Sequence, residues 1–366
     1  MHQNKLVIFM PSIEGGGVEK NLFIISNFLA KNLTNCLLIT ADINFKNKFK
    51  NIEIIKPLIP SKNNFPRKWK YFTCLIELIK LILINKNITV FAFQANFYCV
   101  IICKILFNIN IITRSNSSPS GWSKNIFKKI IFKYLFKKID QVIVNSLDFK
   151  KELKKKFNVK SLCIYNPLNS IEIKKLAKKK LSISLFSKKD CLKIINIGRM
   201  VDQKDQITLL KALNLIKNKI KFKAAIIGSG ILKKKLINFI NENKLQDKIQ
   251  LIDFQDNPYK FIKASDIFIL SSKYEGLPNV LLEATVLGKF IISTNCPTGP
   301  KEILSNGKGG DLYQIGDYKE LASKIEKYNS KKYLANRKIK FAQKNLFRFD
   351  YKLNLNKYLK IVKKYL

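Results

Sequence analysis

Histidine is nearly missing from this chain: His2 is the only one. That excludes His-ligated metal sites and Ser/His or Cys/His nucleophile pairs, which need an imidazole beside the reacting group. Arginine is scarce too, five residues against 63 lysines. Nucleic-acid readout leans on the guanidinium fork and on aromatic stacking platforms, so it is poorly served here. The seven cysteines form no C-x-x-C pair and are odd in number, which fits a reduced compartment better than a disulfide framework. No apolar run reaches the roughly 20 residues of a membrane span. The stretch Phe72 to Ile84 is broken by Glu77 and Lys80, and Phe97 to Phe107 contains Lys104. The first run, Leu6 to Met10, is too short for a secretory signal. Neither G-x-G-x-x-G nor D-x-D occurs, so NAD binding and a metal-holding acid pair are not indicated.

What is present is a chain of 366 residues, 47% hydrophobic and 25% charged, enough for two domains. The net charge of +43 has two readings. It marks a polyanionic partner (nucleic acid, anionic lipid or phosphorylated ligand), or it reflects a general inflation of Lys, Asn and Ile.

Short apolar runs alternate with longer stretches of helical period. The first series of strand-like runs is Leu6–Met10, Cys36–Thr40, Ile52–Lys56, Thr89–Phe93, Ile109–Thr113 and Gln141–Val144. The second is Leu192–Ile197, Phe222–Ile227, Ile249–Ile252, Ile267–Leu270 and Phe290–Ser293. Near-continuous hydrophobic strands separated by helices predict parallel sheets covered on both faces, an α/β protein of two doubly wound Rossmann-like domains. The expected boundaries are residues 1–172, a lysine-rich linker over 173–189, a second domain over 190–345, and a terminal helix over 346–366 able to cross back to the first domain.

The chemistry-bearing residues fall where strands end. The first strand runs into Gly15-Gly16-Gly17-Val18-Glu19, where Gly16 and Gly17 let backbone N–H groups approach an anion. The second series opens alike, with Gly198, then Arg199 and Lys204 on one loop, a fork and a mobile point charge suited to a departing diphosphate. Gly228 to Gly230 forms another strand-to-helix turn. The most informative block is Ser271 to Ala284, which places Glu275, Gly276, Leu277 and Asn279 at a helix start, with Asn279 as N-cap and Glu283 inside the helix. Helix N-termini attract phosphate, and carboxylates accept hydrogen bonds from sugar hydroxyls. A further loop, Cys296 to Glu302, has Pro300 near a helix start.

Taken together, the Gly198–Lys204 element, the two glutamates eight apart and the Gly-rich loop with Val18-Glu19 resemble family 4 retaining glycosyltransferases of bacterial cell-envelope type. The resemblance implies the GT-B fold, two Rossmann-like domains facing across a cleft. It also implies that Arg199 and Lys204 hold the donor's phosphates, that Glu283 holds the nucleotide ribose, and that Glu275 with Gly276 and Leu277 holds the transferred sugar. Many members carry a histidine near the reacting carbon. The matching strand end here reads Phe93-Gln94-Ala95-Asn96. The family works with retention and without a bound metal, so a nucleotide sugar as substrate and no cofactor are expected.

For the acceptor side the candidates are Gln94, Arg114 and Asn116, in a loop dense in donors that continues through Ser117 and Ser118. Residues 124–138 read KNIFKKIIFKYLFKK, an apolar stripe of Ile126, Phe127, Ile130, Ile131, Tyr134 and Leu135 flanked by lysines. That is the composition of a helix lying on anionic lipid, and equally of a core-facing helix in a lysine-rich protein. The expectation is a hexosyl- or N-acetylhexosaminyltransferase using a UDP-linked donor and a lipid-linked or lipopolysaccharide glycan acceptor. It would be cytoplasmic, peripheral on the inner face of the plasma membrane, and without a nucleic-acid partner. The rival readings are a sugar or sugar-phosphate synthase with a soluble acceptor, and a basic nucleic-acid-binding protein.

Overall fold

A computed structural model describes residues 4–58, 66–116, 125–181, 186 and 190–366. Of the residues singled out above, His2, Ser117, Ser118, Lys124 and most of 182–189 lie outside the described residues. The chain divides into two compact units, one formed by residues up to Pro167 together with Tyr351–Leu366, the other by Leu168–Asp350.

The first unit is built on a seven-stranded, all-parallel sheet of β1 (Lys5–Phe9), β2 (Cys36–Ile39), β3 (Glu53–Ile55), β4 (Ile88–Ala92), β5 (Asn110–Ser115), β6 (Gln141–Val144) and β7 (Leu162–Cys163). Their order across the sheet is 3-2-1-4-5-6-7. Successive side chains of β1 go to opposite faces. Leu6 and Ile8 join a core with Leu22, Ile25 and Leu29, whereas Val7 and Phe9 join one with Cys74, Leu78 and Ile82. Both faces are covered, which is why the strand reads as an unbroken apolar run rather than an alternating one. The helices that supply the covers are α1 (Gly17–Asn32) on one face and α2 (Arg67–Ile84) on the other, followed by α3 (Asn96–Val100), which continues into a π-helical turn, then α4 (Ile126–Lys138) and α5 (Leu147–Phe157). Among the described residues no helix is long and apolar enough to cross a membrane.

The second unit repeats the plan. Its parallel sheet comprises β8 (Leu192–Ile197), β9 (Phe222–Ile227), β10 (Ile249–Ile252), β11 (Ile267–Leu270), β12 (Phe290–Thr294) and β13 (Asp311–Tyr313), in the order 10-9-8-11-12-13. The helices are α6 (Ser170–Ala177), α7 (Gln206–Ile216), α8 (Lys233–Glu242), α9 (Tyr259–Ala264), α10 (Asn279–Val286), α11 (Pro300–Ile303), α12 (Tyr318–Ser330) and α13 (Lys332–Lys344). The core brings Leu209, Leu213 and Ile216 of α7 and Leu321 and Ile325 of α12 onto Ile194, Ile226, Ile269 and Ile292.

One boundary differs from expectation, and the terminal helix returns to the first unit as expected. Ile173 to Ala177 is not linker but the inner part of α6, with Ile173 3% exposed and the Leu176 carbonyl accepting from Asn257 Nδ2 at 2.9 Å. Its lysines lie on the solvent side and hid a short amphipathic helix. The final helix, α14 (Tyr351–Tyr365), belongs to the first unit, where Leu355, Tyr358 and Val362 are fully buried against the sheet face that α1 covers.

Candidate functional site

In an open parallel sheet the ligand crevice lies beyond the strands' C-terminal ends, where the strand order reverses. In the second unit that point lies between β8 and β11, and it decides which loops meet. The loop after β8 carries Arg199 and Lys204; the loop after β11 carries Glu275. The two are laced by backbone and side chain: Lys273 N–H donates to the Gln203 carbonyl at 2.8 Å, Gln203 Nε2 to the Tyr274 carbonyl at 2.9 Å, and Ser271 Oγ to the Lys204 carbonyl at 2.7 Å.

This lacing delivers Lys204 Nζ to Glu275 Oε1 at 2.5 Å. The side chains are 17% and 8% exposed, so the pair is largely withdrawn from water. Ser272 Oγ donates to the same oxygen at 2.6 Å. Glu275 Oε2 makes no hydrogen bond among the described residues. Arg199 is exposed on the same loop. Glu283 is 4% exposed on α10.

Two further loops are pressed against these by glycine. Gly228, at φ +149°, sits where a Cβ would run into the Gly198 carbonyl, 2.9 Å from its carbon. Gly299, at φ +90°, would place one 2.7 Å from Pro278 Cδ. Both conformations and both approaches need the missing side chain. Thr298 Oγ1 then donates to the Glu275 carbonyl at 2.5 Å, and Thr294 Oγ1 to that of Ser272 at 2.7 Å. Cys296 is buried among them, and burial first, then the Glu275 charge, pushes its thiol up to about 12. It stays neutral at physiological pH, which removes it as a nucleophile.

The structure thus brings Lys204, Glu275, Gly276, Leu277 and Gly228 to one sheet edge with Arg199. Asn279 differs from expectation. It is the first residue of α10, and Pro278 is the N-cap, with no side chain capping the helix. The proline's fixed φ and extended ψ supply the turn, and the Leu281 N–H donates to the Pro278 carbonyl at 3.1 Å. Ser272 and Thr298 were not singled out from sequence, although both lie in motifs that were; nothing in their spacing shows that they buttress Glu275.

The equivalent edge of the first unit, between β1 and β4, is quieter. Gly16 is the N-cap of α1 and Gly17 its first residue, and Glu19 turns back to accept the Gly16 N–H at 2.9 Å. Gln94 Oε1 accepts from the Ser12 N–H at 3.3 Å, so this strand-end residue steadies the segment leading into the Gly-rich loop. Arg114 is corrected outright. It is 1% exposed, its Nε donating to Tyr358 Oη at 3.0 Å and its Nη2 to Asn166 Oδ1 at 2.7 Å, with the guanidinium 5.6 Å over the Phe93 ring. Asn116 accepts from it and donates to the Phe93 carbonyl. These side chains tie β4, β5 and α14 together, so Arg114 is not an acceptor contact. Such dense hydrogen bonding offsets the cost of burying the guanidinium.

Residues 177–345 match the family model "Glycosyl transferases group 1". Over its whole length the chain superposes on the Anabaena protein HepE, solved with UDP and glucose, with TM-score 0.79 at 17% identity, covering 99% of this chain and 100% of that one. The fold is GT-B. Two curated relatives match in part. One is the N-acetylgalactosamine-N,N'-diacetylbacillosaminyl-diphospho-undecaprenol 4-alpha-N-acetylgalactosaminyltransferase of Campylobacter jejuni, 31% identical over 107 residues, 29% of each chain. The other is the lipopolysaccharide 1,6-galactosyltransferase of Escherichia coli, 30% identical over 124 residues, 33% of this chain and 34% of its own. The match spans about a third of the length of these relatives. In this GT-B chain the family match falls on the unit that holds the Lys204–Glu275 pair.

Proposed function

We propose that the protein is a retaining, family 4 type glycosyltransferase, taking a hexose or N-acetylhexosamine from a UDP-linked donor to a lipid-linked or lipopolysaccharide glycan. The observation that carries the reading is the Lys204–Glu275 pair at the reversal point of the second sheet, with Arg199 exposed on the loop that carries Lys204. A leaving diphosphate develops charge as the glycosidic bond breaks, and a preset cation in a partly dry site stabilises that charge without reorganising. Glu275 holds Lys204 in place through Oε1 and offers Oε2 to a sugar hydroxyl. Arg199 adds a fork able to reach two phosphate oxygens. The departing phosphate takes the acceptor's proton on the face it leaves, so the chemistry makes no demand for the histidine the chain lacks. Support for a lipid-linked acceptor is the undecaprenol diphosphate substrate named for the C. jejuni relative. Such an acceptor places the work at the inner face of the plasma membrane.

The direct test is transfer of labelled sugar from UDP-sugars to extracted undecaprenyl-diphosphate glycans, with the product's anomeric configuration read by NMR. Inverted product, or no transfer to any glycan, contradicts the proposal.

Two narrower outcomes are expected. Glu283→Gln should weaken free UDP by about tenfold or more, the worth of a charge-assisted hydrogen bond of roughly 1.5–3 kcal/mol. Calorimetry giving parental UDP affinity removes Glu283 from the ribose. Turnover should also survive exhaustive EDTA treatment, because the charge on the leaving group is met by Arg199 and Lys204. Activity lost to EDTA and restored by Mn²⁺ or Mg²⁺ shows a metal doing that work instead.

A further inference from the structure

The helix α4 carries two apolar stripes, and the one expected from sequence takes only Leu135 from the inward set. Phe132, Leu135 and Phe136 turn inward: Leu135 and Phe136 are each 4% exposed, and Phe132 stacks on Phe97 with ring centroids 4.3 Å apart. Phe127, Ile130, Ile131 and Tyr134 recur at i, i+3, i+4 and i+7 and are 78%, 60%, 54% and 54% exposed. At about 100° per residue this second stripe points away from the first, out of the core. Next to it, Tyr98, Ile101 and Ile105 are exposed along α3 and its π-helical turn, which α4 packs against through Phe97. Single exposed apolar residues are ordinary, but adjoining exposed stripes on two packed helices mark an interaction surface.

The charge around it selects the partner. Lys128, Lys129, Lys133, Lys137 and Lys138 flank the stripe, and no carboxylate occurs between residue 78 and residue 139. The first that follows, Asp140, is held by Lys104 at 2.7 Å. A second copy of this face would meet lysine with lysine. A nucleic acid would meet the lysines but leave the aromatic and aliphatic stripe in water. We infer that the α3–α4 face docks on an anionic lipid bilayer, its apolar stripe entering the headgroup boundary while the lysines pair with lipid phosphates. The inference stands apart from the transferase reading. With it, the face delivers the enzyme to where a lipid-linked acceptor resides.

The experiment is co-sedimentation of the full chain with phosphatidylcholine vesicles, with or without phosphatidylglycerol. The parent should bind only the anionic vesicles, and raised salt should release it. Phe127→Ser with Ile131→Ser leaves the charge unchanged, and Lys128→Gln with Lys129→Gln and Lys133→Gln leaves the stripe. Each set should weaken binding by at least about tenfold, since apolar burial and basic charge both contribute. Lys332→Gln with Lys340→Gln and Lys344→Gln, on exposed α13, should leave it unaltered. Equal loss in this control reduces the effect to total charge and overturns the inference. So does undiminished binding by the first two sets, or a dimer in solution that Phe127→Ser with Ile131→Ser dissolves. UDP affinity, measured on every variant, reports folding of the second unit. Lost vesicle binding by the parent with UDP affinity intact refutes the docking face alone, whereas binding without sugar transfer refutes the transferase reading alone.

Discussion

Lys204→Ala is expected to lower sugar transfer by about tenfold to a hundredfold and to destabilise the second unit as well. The first effect is the loss of a cation from the leaving diphosphate, worth roughly 1.5–3 kcal/mol for a charge-assisted contact. The second follows from Glu275, whose side chain is 8% exposed and would keep only the Ser272 hydroxyl. Removing one member of a buried pair costs about 3–5 kcal/mol, largely because the other charge stays behind. The two effects separate by a double-mutant cycle. Lys204→Ala with Glu275→Ala should be less destabilised than the sum of the single variants, while transfer stays low in both. Arg199, exposed on the loop, should behave differently: Arg199→Ala loses about tenfold in turnover with little change in the unfolding midpoint. Undiminished transfer by Lys204→Ala at saturating donor would falsify the assignment of the diphosphate to this loop.

Gly228→Ala should be the most damaging single methyl in the second unit. The added Cβ would meet the Gly198 carbonyl, backbone against backbone, with no flexible side chain to give way. The φ of +149° adds strain for any residue with a Cβ. Either the chain loses several kcal/mol, on the scale of overpacked cores, or the loop after β8 shifts and takes Arg199 and Lys204 with it. Chemical denaturation and UDP calorimetry distinguish the two outcomes. Gly316→Ala is the matched control. Its φ is +78° but nothing stands within 4 Å of the new carbon, so only the backbone strain, about 1 kcal/mol, is expected. Equal effects at the two positions refute the close-approach argument.

The strands of both sheets were legible because a strand buried on two faces is a compact apolar run. Five of them, from Gln141–Val144 to Ile267–Leu270, have the bounds read from sequence. The edge strands Leu162–Cys163 and Asp311–Tyr313 were missed: two or three residues at a sheet margin carry no such run. Each half of the candidate site was readable as a strand-end loop with unusual residues. Their meeting was not, because Lys204 and Glu275 are 71 positions apart and converge only once β8 lies beside β11. Arg114 fails for the same reason. A basic residue next to Ser115 and Asn116 looks like a solvent-facing donor until Asn166 and Tyr358 arrive from elsewhere in the chain. The stripe of α4 was legible in part: Phe127, Ile130, Ile131 and Tyr134 are exposed and Leu135 alone among its described side chains is buried. Periodicity locates apolar faces, but it does not say which of two faces the sheet occupies.

The Arg114–Tyr358 contact has a consequence for synthesis. The first unit takes its closing helix from the far side of the second, so 183 residues, 168 to 350, are translated before Tyr358 exists. At roughly 5–20 residues per second this interval lasts about 10–40 s. Throughout it, one face of the seven-stranded sheet lacks Leu355, Tyr358 and Val362, and a guanidinium meant for burial has lost its phenol partner. The second unit, contiguous in sequence, faces no such delay. On the ribosome the half that emerges first is therefore the half that completes second, and its open sheet face is the segment most in need of a holding chaperone.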